Sequence, residues 1–257
     1  MNRVPASLKQ SLMTAVFILI YANTSAQIVN IETARFHSDS TGFMGEAGVA
    51  LSFIKNTQTV LQTDIDAHIH YKTKKDVYLL LGSYGALKSG GTSLIDNSFL
   101  HLRYSRKLNT WLRWELFTQY QSNDITKIKT RFLAGTGPRF KIASRKYLKL
   151  YAGSLIMYEV EKQEIDPPVT NKDMRSSSYI TFTLIPSVHF EIVSTTFYQP
   201  LIKKLSDSRI LNQSSFKVKG NNHFSMSLQW NYSFDSSPVI GIPNDNYSLS
   251  TRIGYEF

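Results

Sequence analysis

The chain has 257 residues, of which 42% are hydrophobic and 12% aromatic, and it carries 29 Lys and Arg against 19 Asp and Glu for a net charge of +10. That length suits one domain, and one large barrel is a permitted use of it. With no cysteine, a disulfide framework and a thiolate metal centre are excluded, and beyond Tyr21 no apolar run is long enough for a membrane-spanning helix.

Met1 to Gln10 contains Arg3 and Lys9 and no acid, Leu12 to Tyr21 is a short apolar run, and Thr24-Ser25-Ala26 supplies small residues. This layout predicts a secretory signal peptide over residues 1–26, too short to span a membrane. A lipoprotein would need cysteine after the cut, where Gln27 stands. Losing Arg3 and Lys9 lowers the net charge from +10 to +8. In an exported chain the basic balance points to anionic lipid headgroups rather than nucleic acid. Ile28 to Phe36 is strand-like, but one extra strand would break even parity, so residues 27–41 read as a periplasmic or plugging segment.

From there the chain alternates. Leu61, Thr63, Ile65, Ala67, Ile69 and Tyr71 oppose Gln62, Asp64, Asp66, His68 and His70. Leu100, Leu102 and Tyr104 oppose His101 and Arg103; Leu112, Trp114, Leu116 and Tyr120 oppose Arg113, Glu115 and Gln119. Later, Leu148, Leu150, Ile156 and Tyr158 oppose Lys149, Gly153 and Glu159, and Phe224, Met226, Leu228, Trp230 and Tyr232 oppose Ser225, Ser227, Gln229 and Asn231. Side chains two apart share a face of a strand, so each segment has one apolar and one polar face. A soluble sandwich also alternates. Charges on the polar face, with Tyr, Trp or Phe ending the apolar one, favour a lipid-facing band with aromatic girdles around a polar interior.

The connections alternate in length. Asn56 to Gln58, Leu87 to Ile95, Asn123 to Lys127, Lys162 to Met174, Leu201 to Ser208 and Asp235 to Asp245 read as loops; Thr73-Lys74, Leu108-Asn109, Ser144-Arg145, Pro186-Ser187 and Gly220-Asn221-Asn222 read as tight turns. The expectation is a barrel over residues 42–257: all-β, transmembrane, antiparallel, up-and-down, with about twelve strands. Lys72, Lys74, Lys75, Arg106, Lys107, Arg145, Lys146 and Lys219 crowd the turns. They form either a solvated rim or a contact with anionic headgroups.

The last strand alternates Tyr247, Leu249, Thr251, Ile253, Tyr255 and Phe257 with Ser248, Ser250, Arg252, Gly254 and Glu256. It resembles the terminal strand that outer-membrane barrels present to their assembly machinery, which implies that Tyr255 and Phe257 carry an assembly signal. Gln27-Ile-Val-Asn-Ile-Glu32, Phe99-Leu-His-Leu-Arg-Tyr104, Trp111-Leu-Arg-Trp-Glu115, Phe117-Thr-Gln-Tyr-Gln121 and Arg131-Phe-Leu-Ala-Gly-Thr-Gly-Pro-Arg-Phe140 are similar to segments of the salt-induced outer-membrane protein family, a barrel domain of unknown function, in its Bacteroidota-like version. The resemblance implies a barrel in the cell outer membrane, with outer-membrane lipids and the barrel-assembly machinery as partners. It brings no catalytic residue, cofactor or metal.

Three constellations invite chemistry. Tyr120-Gln121-Ser122-Asn123-Asp124 resembles the His-x-Ser-Asn-Gly of outer-membrane phospholipases, but Tyr120 stands where the general base belongs and is a poor one. His68 and His70 share a face with Asp64 and Asp66, which could hold a divalent ion; a luminal polar network with Arg103, Arg113 and Arg131 is the simpler reading. Gly135-Thr-Gly-Pro138 opens no helix and has no Lys-Ser/Thr pair, so it marks a bulge, bend or close backbone approach rather than a phosphate loop. The expected inward set also includes Lys129, Glu191 and Arg252, with Glu115, flanked by Arg103 and Arg131, as its hub. The function expected is an envelope structural or small-solute permeability role without covalent chemistry. The alternatives are a lipid-modifying enzyme of the phospholipase A type and a secreted β-sandwich.

Overall fold

The computed structural model describes residues 41–257 apart from 56–58, 90, 91, 125 and 222. The expected signal peptide and nearly all of the segment 27–41 lie outside the described residues. Twelve strands follow in order: β1 (Gly42–Lys55), β2 (Thr59–Lys72), β3 (Asp76–Ser89), β4 (Thr92–Lys107), β5 (Leu112–Asn123), β6 (Ile128–Ser144), β7 (Leu148–Gln163), β8 (Thr170–Ser187), β9 (Phe190–Leu201), β10 (Lys204–Lys219), β11 (Phe224–Asp235) and β12 (Asp245–Glu256). Each pairs antiparallel with its chain neighbour, and β1 meets β12 to close the barrel. Closure leaves no open edge, as hydrocarbon requires. This is an up-and-down barrel of the transmembrane type, as the alternation predicts.

One end carries the tight turns together with Gly42 and Phe257; the other carries the loops. Several segments that read as loops are strand. The β9–β10 connection spans only residues 202–203, and β7 and β8 run on to Gln163 and back from Thr170. The polarity that suggested loops belongs to hairpin arms whose ladders continue into water, where polar side chains are at home on both faces.

The outer surface is apolar between two sets of rings. Phe43, Tyr71, Tyr78 and Tyr104 stand opposite one another across β1 to β4 near the turn end, with successive centroids 4.5, 6.1 and 5.1 Å apart. Toward the loop end lie Tyr84, Tyr120, Phe132, Tyr158, Tyr198 and the stacked pair Trp230–Tyr247. On β12, Tyr247 and Tyr255 are separated by roughly 27 Å of strand at about 3.4 Å per residue, or about 20 Å of barrel height at a ~40° tilt. That is close to the apolar band of an outer-membrane barrel.

The seam is the weakest ladder. β1 and β12 share four register pairs, Glu46 to Val49 against Glu256 to Ile253, whereas β1 and β2 pair along Gly42 to Lys55. Gly45 adds two backbone hydrogen bonds with Phe257, donating at 3.0 Å and accepting at 2.9 Å.

Candidate functional site in the lumen

Inward positions follow the two-residue period. Asp64, His68, His70, Arg103 and Glu115 are buried inside, while Ile65, Ile69, Leu102 and Leu116 face out. Lys129 departs from the expected pattern and is exposed. A register shift between Ile128 and Thr130 leaves it out of the ladder, and Ile128 turns inward in its place.

The largest charge lattice lies toward the loop end and joins strands across the lumen. Glu159 Oε1 accepts from Arg131 Nε at 2.8 Å and Arg209 Nη1 at 2.6 Å, and its Oε2 accepts from Arg175 Nε at 2.8 Å. Glu161 accepts from Arg131 and, at 3.1 Å, from Arg209 Nη2. Asp207 holds Arg175 at 2.9 Å and Asp235 holds Arg209 at 2.7 Å. Arg209 reaches from β10 to β7 past two intervening strands, so the lattice bridges one side of the lumen, from β6 to β11. Buried charges persist only when paired in this way.

The expected hub is therefore displaced. Glu115, fully buried at 0% exposure, accepts from Arg103 Nη1 at 3.0 Å and from the Tyr179 hydroxyl at 2.8 Å. Arg131 is not its partner: it stands opposite Gln121, well along the strand from Glu115 opposite Gly137, and turns to Glu159 and Glu161. Glu46, Arg139, Glu161, Arg175, Arg209 and Lys217 are further buried charges among the described residues that the sequence reading missed. Their signal was the same alternation, as in Arg209, Leu211, Gln213, Ser215 and Lys217 on one face of β10.

Beneath the lattice is an apolar layer of Phe117, Leu133, Leu155, Met157, Tyr179 and Phe197. Glycines make it possible. A Cβ at Gly153 would overlap the Tyr179 ring, one at Gly135 would meet Phe117 and Met157, and one at Gly137 would meet Ser154 and Leu155. The Gly-Thr-Gly segment is thus a close approach; the β5–β6 register runs through it unbroken. With the wall of β6 and β7 lowered, Tyr179 on β8 crosses to Glu115 on β5.

A second ionic group clasps the seam. Glu46 on β1 accepts from Lys217 Nζ at 2.6 Å and from Arg252, and Arg252 holds Asp66 of β2 at 2.6 Å. Above the lattice, the 236–244 connection folds inward. Val239 is buried, Lys127 Nζ donates to the Ile240 carbonyl at 3.2 Å, and Asp235 N donates to Asn244 O at 2.9 Å. Pro238, Val239, Ile242 and Pro243 cover a cavity of about 170 Å³ whose walls include Arg131, Glu159, Glu161 and Arg209.

The enzyme-like segment assembles no catalytic pair. Ser122 Oγ lies 2.7 Å from Ser98 Oγ, and Tyr120 is exposed on the outer face. His101 on the neighbouring strand is engaged with Gln119 at 3.0 Å and accepts from Arg103 at 3.2 Å. Among the described residues, no three His, Asp or Glu side chains group as metal ligands.

The family described as "Protein of unknown function, DUF481" matches residues 55–257, the barrel almost entire. The chain belongs to the DUF481 family. No curated protein matches it. Among solved structures, the DUF481 chain is similar to an outer-membrane channel from Pseudomonas putida F1 at 9% identity, covering 90% of this chain and 100% of that one with a TM-score of 0.53. It is also similar to the translocator domain of the autotransporter NalP from Neisseria meningitidis, at 10% identity, 98% and 97% coverage and a TM-score of 0.51. The NanC porin follows at 13% identity, 83% and 98% coverage and a TM-score of 0.50. These likenesses show that the DUF481 barrel shares its fold with outer-membrane barrels.

Proposed function

We propose that this protein is an outer-membrane barrel that admits small solutes through a narrow, ion-paired lumen and performs no covalent chemistry. The lattice of Glu159 and Glu161 with Arg131, Arg175 and Arg209, which fills one side of the lumen under the folded 236–244 connection, carries the reading. An apolar belt between aromatic rings supports the outer-membrane location, and the basic leader supports export through a cleaved signal peptide. Outer-membrane lipids and the barrel-assembly machinery are its partners, with Tyr255 and Phe257 read by that machinery. The salt-induced, Bacteroidota-like character of the resembling segments belongs to the same reading. Ser122, beside Ser98 and without a histidine base, supports a role other than lipid hydrolysis.

Planar-bilayer conductance of the refolded protein tests the reading. Small, rare openings are expected. Ohmic conductance as large as that of a sixteen-strand porin overturns it.

A further inference from the structure

The cavity under the 236–244 connection lies between two apolar surfaces. Its floor is the buried layer in which Tyr179 and Phe197 have ring centroids 5.4 Å apart and Phe117 stacks on His101 at 5.5 Å. Its roof is Pro238, Val239, Ile242 and Pro243, tied down by Lys127 through the Ile240 carbonyl. The volume of about 170 Å³ compares with the ~150 Å³ of an apolar cavity that admits benzene.

The walls add polarity without net charge. Among the described lining residues, the charged ones are Arg103, Arg131, Arg209, Glu159, Glu161 and Asp235, three of each sign. Each is held in an ion pair, Arg103 by Glu115 and the other five within the lattice. An ion entering this space would lose its hydration to groups already engaged with one another. The wall formed by β4 and β5 is different. Gln119 bonds His101 and donates to the Gln121 side-chain oxygen at 2.7 Å, and the Gln121 N–H groups have no partner among the described residues. Asn97, diagonal to Gln121 across the ladder, has no partner for its buried side-chain oxygen. Both residues line the cavity. One edge of a space that is apolar above and below therefore carries an unused donor and an unused acceptor.

We propose that this cavity binds a small uncharged aromatic solute of the phenol class, its ring between floor and roof and its hydroxyl at Gln121 and Asn97. A hydroxyl both donates and accepts, so one group answers both amides. The rings of the floor favour an aromatic solute over a saturated one through offset and edge-to-face contacts. This names the solute class of the permeability reading and rests on that reading for entry, but equilibrium binding needs no conduction.

Fluorine NMR of para-fluorophenol titrated into the detergent-refolded full chain decides it, with empty micelles as the blank. A saturable shift beyond that blank is expected, displaced by phenol, about tenfold more weakly by cyclohexanol, and not by benzoate. Gln121→Leu should weaken binding about tenfold, as one lost hydrogen bond can. Fluorobenzene, which has no hydroxyl, should bind wild type and Gln121→Leu alike. Replacing the 236–244 connection with a short turn removes the roof and should weaken para-fluorophenol at least as much. Tyr120→Leu, on the outer face, should change nothing, and heat-modifiable gel mobility confirms that each variant is folded. Conductance without para-fluorophenol binding strikes the site alone, whereas binding to a barrel that never opens strikes the permeability reading alone. No saturable shift, displacement by benzoate or cyclohexanol as strong as by phenol, equal weakening by Tyr120→Leu, or full affinity in both Gln121→Leu and the roofless variant overturns the proposal.

Discussion

The ring of Phe257 lies against Gly45, where any Cβ would overlap it, while the two residues exchange backbone hydrogen bonds of 3.0 and 2.9 Å. Glycine on the outer face of β1 thus gives the last side chain a seat across the seam. Gly45→Ala should push the ring off and cost about 1 kcal/mol in detergent unfolding. Phe257→Ser should lower refolded yield even without assembly machinery, and lower it further in cells if that machinery reads the residue. Equal yield for wild type and Phe257→Ser in both settings would sink both halves of this expectation.

Glu159 receives three guanidiniums, so removing its charge strands them together. Glu159→Gln should cost about 3–5 kcal/mol, the usual penalty for breaking a buried pair by deleting one partner. The urea midpoint of the folded barrel in detergent measures it, and an unshifted midpoint would contradict the lattice.

Leu116 and Leu228 face outward at 52% and 45% exposure. Leu116→Arg and Leu228→Arg should each cost about 2–4 kcal/mol in lipid, where a midplane cation is costly. Gln229→Arg points inward and should cost less than either, whereas Gln119→Arg gives up the hydrogen bonds to His101 and Gln121 and should fall between. Equal refolding free energies for all four in vesicles would mean that the face assignment is wrong.

Gly153 is the floor on which Tyr179 lies. Gly153→Ala should cost about 1–3 kcal/mol by overpacking. Tyr179→Phe keeps the ring but loses its hydrogen bond to the Glu115 carboxylate, worth about 1.5–3 kcal/mol. A thermal-melt series in detergent separates the two effects, and silence in both variants would mean that the ring does not rest there.

Replacing the 236–244 connection with a short turn should raise single-channel conductance while heat-modifiable mobility stays intact. Unchanged conductance in a folded variant would show that the connection does not obstruct the mouth.

The barrel was legible because the two-residue period is local: each residue's neighbours in sequence reveal its face. The lipid-facing set followed from that period, and the strand number from the alternation of long and short connections together with even parity. The lattice was harder to read. Which arginine meets Glu115 depends on how far Arg131 sits along β6, and alternation carries no information about height. Lys129 was misplaced because one unpaired residue inverts the faces locally, and a bulge leaves no mark in hydrophobicity. Tyr179 reaching Glu115 depends on glycines of two strands lying between them, a relation visible only once the wall is curved.

The clasp of Glu46 by Arg252 joins residues 206 positions apart, and Lys217 joins it from 171 positions away. Lys217 also has Glu256 at 3.5 Å on its own side of the seam, but both acids that hold Arg252, Glu46 and Asp66, lie on the first two strands, and the loop that must close to unite them is nearly the whole barrel. A half-formed cylinder therefore leaves Arg252 without these two acids until first and last strands meet. Closure is for that reason a single cooperative event: partly zipped intermediates are penalised, and the finished seam resists fraying from either end despite its short ladder.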